Sequence, residues 1–172
     1  MKNVTFAAIA ALLYSTAAHA HDYTLGGIKV IHPMAFETAQ TAQVAGGYMT
    51  IENTGAADDT LLEVRVATIP RTELHLSETD ANGVARMIHQ ENGIAVAAGQ
   101  TVSLQPGGLH VMFMGLNGDP FEAGEEVEAT LVFEKAGELA VTFNVEARSA
   151  ADHGGTDHSG HKMDHGTDKK SD

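Results

Sequence analysis

The chain has 172 residues, room for one domain of ordinary size, and a formal net charge of -13. That acidity argues against nucleic acid and anionic lipid surfaces as partners and favours cationic ligands. There is no cysteine, which excludes a thiol nucleophile, a dithiol redox pair, cysteine-ligated zinc and a blue-copper electron-transfer centre.

Residues 1–20 read as a secretory signal. Lys2 supplies the positive start, residues 7–13 a short apolar core, and Ala18-His19-Ala20 a small-x-small cleavage pattern. The mature chain is therefore expected to begin at His21 and to be exported to the periplasm. Loss of Lys2 makes it one charge more negative. No later stretch is apolar for long enough to cross a bilayer, so no stable membrane insertion is expected.

Residues 21–148 read as one all-β domain. Strands are predicted at 23–30, 44–51, 60–66, 73–79, 84–89, 101–104, 109–114, 127–133 and 139–146. Between them lie turn signals such as Asn53-Thr54-Gly55, Asn82-Gly83, Pro106-Gly107-Gly108 and Ala136-Gly137. Alternation puts Val127, Ala129, Leu131 and Phe133 on one face, and likewise Leu139, Val141, Phe143 and Val145. Short strands at this spacing predict a β-sandwich. Met34 and Met49 read as core filling, and so does Met114. From Ser149 the composition changes. Residues 149–172 have Met163 as their one large apolar side chain and read as a disordered tail carrying His153, His158, His161, Met163 and His165.

Two patterns suggest a metal site. On the strand at 109–114, His110 and Met112 share a face with Met114, while Val111 and Phe113 point the other way. His75 and Met87 flank the turn at Asp80-Ala81-Asn82-Gly83. A type I turn followed by a left-handed Gly83 would pair Asp80 with Val84, Ser77 with Met87 and His75 with His89. His75 and Met87 would then be diagonal neighbours, roughly 7 Å apart. A turn symmetric about Ala81 would set them directly opposite, and a two-residue Asn-Gly turn would put them on opposite faces. Two imidazoles and two thioethers form a soft, neutral donor set that suits Cu(I) in an oxidising compartment.

The chain resembles the periplasmic PCuAC copper chaperones over nearly all of 22–147. The resemblance rests on His21-Asp22-Tyr23, Ile31-His32-Pro33, the run from Ala45 to Asn53, Glu73-Leu74-His75, Arg86-Met87, and Pro106-Gly107-Gly108-Leu109-His110-Val111-Met112-Phe113-Met114-Gly115-Leu116. It implies a cupredoxin-like fold and Cu(I) ligation by His75, Met87, His110 and Met112. It also implies copper delivery to the dinuclear centre of cytochrome c oxidase subunit II, alongside Sco-type proteins. Two departures stand out: Leu76 and Ser77 follow His75 where many members carry Met, and Met34 follows His32-Pro33 where many carry Trp.

The tail imidazoles suit Cu(II), and tethering would hold copper near the folded site at an effective concentration on the order of mM. An N-terminal His21 could chelate Cu(II) through its amine and ring, which opens an alternative as a copper enzyme. The other alternative is copper buffering without a dedicated target. The leading expectation is a monomeric chaperone without catalytic turnover, with His32 and His89 unassigned.

Overall fold

The computed structural model describes residues 22–80 and 82–148. Among them are eleven strands and no helix. These are β1 (Asp22–Leu25), β2 (Ile28–Phe36), β3 (Val44–Asn53), β4 (Asp59–Arg65), β5 (Arg71–Thr79), β6 (Ala85–His89), β7 (Ile94–Val96), β8 (Thr101–Leu104), β9 (Leu109–Met114), β10 (Glu126–Phe133) and β11 (Gly137–Glu146). The expected leader, His21 and the tail donors His153, His158, His161, Met163 and His165 lie outside the described residues.

Hydrogen-bonded neighbours follow the path β6-β5-β9-β3-β2-β11-β10-β4-β7, with β1 on β2 and β8 on β3. The β2–β11 pair is parallel, and the other pairs are antiparallel. The strands pack around an apolar core, giving an all-β domain. Phe113 of β9 meets Phe143 of β11 edge-on, with centroids 5.4 Å apart, and Phe121 at 5.5 Å. Such pairs add about 0.5–1.5 kcal/mol beyond their area burial. The alternating sets on β10 and β11 are all buried, as their periodicity requires. Met34 and Met49 are also buried.

Three features differ from the expected elements. The strand expected at 23–30 is a hairpin, because Gly26-Gly27 turns the chain and pairs Leu25 with Ile28. The second strand continues through His32-Pro33, where its register with β3 shifts between Ile31 and Met34. Pro33 has no N–H for a ladder, and His32 sits at φ 50° in the resulting bulge. Above the bulge β2 pairs with β1; below it, with β11. The third is β7, whose three residues are too few to show a period.

The far end of the sandwich is tied by two buried polar side chains. Asn53 donates to the carbonyls of Ala57 and Val96, both at 2.9 Å, and accepts from Gly55 N–H at 3.0 Å. Asp59 accepts from the N–H groups of Thr60, Lys135 and Ala136 at 2.8–2.9 Å, joining β4 to the β10–β11 turn. Burial alone would raise the Asp59 carboxyl, but these three donors outweigh it and hold it below its ordinary value. Its folded value being depressed, its contribution to stability is complete above the ordinary carboxylate range and is lost as pH falls through the lowered value. Asp59→Ala leaves buried N–H groups unpaired and should cost about 1–3 kcal/mol. Denaturant midpoints measured from pH 7 down to pH 3 check this: the gap between wild type and variant should narrow at the acid end, and a pH-independent gap would contradict the assignment.

Candidate metal centre

The site is built on β6, β5 and β9, and its geometry starts at the turn between β5 and β6. Gly83 N–H donates to Asp80 O at 2.9 Å, and Asp80 N–H donates to Val84 O at 3.0 Å. The Asp80 carboxylate also accepts from Asn82 N–H and Val84 N–H at 2.9 and 3.0 Å. Gly83 lies at φ 81°, the left-handed conformation that glycine adopts without strain. Of the three registers the sequence left open, the chain takes the one in which Asp80 bonds Val84 and Gly83 is left-handed. Ser77 therefore stands opposite Met87, and His75 opposite His89.

On its other edge β5 pairs with β9, setting His75 opposite His110 and Glu73 opposite Met112. Three imidazoles thus cross three neighbouring strands on one face. The rings of His75 and His89 stack at 5.3 Å, and those of His75 and His110 lie 5.9 Å apart. Met112 follows His110 by two residues on this face, and Met87 is diagonal to His75 across β6. The structure brings His75, Met87, His110 and Met112 onto one face.

These four differ in access. His110 is 7% exposed and Met87 is 54% exposed. Met112 is half-buried, and every residue of β6 is exposed. A cleft of about 270 Å³ opens beside them, lined by Met87, His110, Met112, Gly46, Tyr48, Phe36 and Arg148 among others. His75 lies next to this cleft, beyond its lining. Of four larger clefts, those of about 340, 560 and 570 Å³ have neither imidazole nor thioether in their walls, and one of about 300 Å³ is lined by Arg71, Glu73 and His89 among others.

Hydrogen bonds decide which ring atoms are available. His110 Nδ1 is 3.0 Å from the Gly108 carbonyl, so Nδ1 donates and Nε2 keeps its lone pair. His75 Nε2 is 2.7 Å from Glu73 Oε2, while His75 Nδ1 is buried without a partner. A buried ring nitrogen with no donor facing it is costly unless something else fills the position. Glu73 is held in turn by Arg71 Nε at 2.7 Å. The hydrogen bond from His75, with help from Arg71, keeps the Glu73 carboxyl below its ordinary value against the effect of burial.

Among the described residues, no three of His, Asp, Glu and Cys are grouped so as to hold an ion. A donor set on this face therefore needs the thioethers, and thioethers with imidazoles favour Cu(I) over hard cations and over zinc. Met114, expected as core filling, is instead half-buried on the face of His110 and Met112, opposite Arg71 and Val44. His32 lies in the β2 bulge with Nε2 2.9 Å from Glu146 Oε1. Sequence reasoning did not single out Glu73, although its i, i+2 spacing to His75 carried the signal. Tyr48 was also missed as a cleft wall, because its position there depends on β3 pairing with β9.

The family model described as "Putative lipoprotein LpqE-like" matches residues 28–145. The chain belongs to the LpqE-like family. A relative, "Putative lipoprotein Lxx21020" of Leifsonia xyli subsp. xyli (strain CTCB07), is 32% identical over 88% of this chain and 92% of its own. Among solved structures, the copper-bound PCuAC domain from PmoF2 is 29% identical with a TM-score of 0.62, covering 74% of this chain and 99% of that one. The Cu(I) form of DR1885 from Deinococcus radiodurans is 25% identical with a TM-score of 0.55, covering 75% of this chain and 83% of its own. This LpqE-like chain therefore has the PCuAC fold that its motifs led us to expect.

Gly46-Gly47 on β3 separates the cleft from the core in this LpqE-like chain. A Cβ on Gly46, which pairs with Met112, would run into the Tyr48 hydroxyl. A Cβ on Gly47 would come within 2.7–3.0 Å of the Phe113 and Phe143 rings. The Tyr48 ring tip can move toward solvent, whereas the packed rings cannot. Gly47→Ala should therefore cost about 1–3 kcal/mol by overpacking, and Gly46→Ala clearly less. Denaturant unfolding of both variants checks this, and equal losses would contradict it.

Proposed function

We propose that this chain is an exported copper chaperone that takes up Cu(I) through His75, Met87, His110 and Met112 and releases it by ligand exchange, with no catalytic turnover. The observation that carries this is the alignment of two imidazoles and two thioethers on one face of β6, β5 and β9, with His75 Nδ1 buried and unpartnered. The donor chemistry fits a soft monovalent ion. Two solved relatives are a copper-bound and a Cu(I)-bound protein, and the names of the sequence relative and of the family describe lipoproteins, an exported class.

The arrangement suits transfer. His75, His110 and Met112 are set into the sheet, while Met87 stands on the exposed edge strand. A neutral donor set holds the ion without a net charge on the protein side, so an incoming ligand can replace Met87 first and the inner donors afterwards. Resemblance to the PCuAC chaperones makes cytochrome c oxidase subunit II the proposed recipient, alongside Sco-type proteins, with the chain acting as a monomer. The tail begins after Arg148, which lines the cleft and lies 5.4 Å over the Phe36 ring. Donors His153, His158, His161, Met163 and His165 follow Arg148 in the sequence and would collect Cu(II) or Cu(I) and raise its local concentration.

Competition against a chromophoric Cu(I) chelator tests the reading. A chain ending at Arg148 should keep one equivalent of Cu(I) while losing the extra capacity of the full chain. Met112→Leu should weaken that equivalent by more than the roughly 10–100-fold that loss of a ligand's supporting partner typically costs. Unchanged affinity in Met112→Leu would overturn the site. Copper retained by the loaded chain in the presence of copper-free oxidase subunit II domain would replace the chaperone role by buffering.

A further inference from the structure

The two histidines of the site are restrained in opposite senses. An ionised carboxylate and a backbone carbonyl can only accept hydrogen bonds. His75 Nε2, 2.7 Å from Glu73 Oε2, must therefore carry the proton of the neutral ring. His110 Nδ1, 3.0 Å from Gly108 O, must do the same for its ring. The lone pairs that remain are on His75 Nδ1 and His110 Nε2. Glu73 is not free to swing away. Its side chain is 16% exposed, and Arg71 holds its other oxygen through Nε at 2.7 Å. Stacking of His89 on the His75 ring at 5.3 Å further limits rotation of that ring.

We propose that Glu73, braced by Arg71, is a positioning residue that fixes His75 with Nδ1 toward the copper ion, so that the site binds Cu(I) through Nδ1 of His75 and Nε2 of His110. This rests on the reading of the face as a Cu(I) site and adds which atoms ligate and what selects them. A carboxylate bonded to the remote N–H of a ligating imidazole sets its tautomer and raises its basicity. A test of Glu73 must therefore read the ring itself as well as the affinity.

Long-range ¹H–¹⁵N correlation of the full chain supplies that reading, since Cu(I) is diamagnetic. In the metal-free chain, His75 should carry its proton on Nε2 and His110 on Nδ1. One equivalent of Cu(I) should shift the ¹⁵N resonances of His75 Nδ1 and His110 Nε2. Glu73→Gln, whose amide oxygen can still accept from Nε2, should keep both the tautomer and the Cu(I) affinity. Glu73→Leu should give a mixed His75 tautomer and an affinity lower by about 10–100-fold. A metal-free His75 protonated on Nδ1, or a Cu(I)-induced shift at Nε2 in place of Nδ1, would overturn the proposal with the copper site intact. Neither ring responding to Cu(I) would overturn the copper reading and this proposal together.

Discussion

The site depends on the register of β5 between β6 and β9. Side chains on a strand alternate between faces, so a slip of one residue on either edge of β5 would turn His75 away from Met87 or from His110. On the β6 side the register is set within a few residues by the Asp80 carboxylate and the left-handed Gly83. On the β9 side it is set by long-range pairing that brings Leu74 and Val111 into the core together and so leaves His75 and His110 facing the other way. The donor face is thus the reverse side of well-packed core strands. The fold needs the apolar side, and the chemistry uses what is left.

The same arrangement explains the unequal burial of the donors. The β5 and β9 strands lie over the core, so their outward side chains are partly covered by neighbours. The edge strand β6 has a neighbour on one side only, and all its residues are exposed. On the proposed copper reading, three inset donors and one on the edge strand would combine retention with a way out for the ion. The inset part has a cost. Among the described residues His75 Nδ1 is a buried acceptor with no partner, and such a group is costly to stability.

Much of this was legible in the sequence, and the reasons are local. Alternation on β10 and β11 and the Asp80–Gly83 turn chemistry depend on neighbours within a few residues, so they could be read directly. The β5–β6 register followed once one turn type was chosen among three. The pairing of β5 with β9 joins residues over thirty positions apart, and no spacing rule predicts it; resemblance to PCuAC proteins implied only that His75 and His110 share an ion. Gly26-Gly27 was hidden inside an apparently continuous strand, and the strand expected to stop at residue 30 runs on through Pro33, at a bulge where β2 changes partners. Glu73 was overlooked because a carboxylate in an acidic chain carries no compositional signal; its meaning comes from the 2.7 Å contact with His75.

The central claim is that thioether sulfur and imidazole nitrogen from one face share a single Cu(I) ion. Copper K-edge X-ray absorption on the chain ending at Arg148, loaded with one equivalent of Cu(I), addresses it most directly. The account predicts mixed sulfur and nitrogen scattering, with the sulfur contribution lost in the Met87→Leu, Met112→Leu double variant. Scattering from nitrogen and oxygen alone, unchanged by that double substitution, would contradict it.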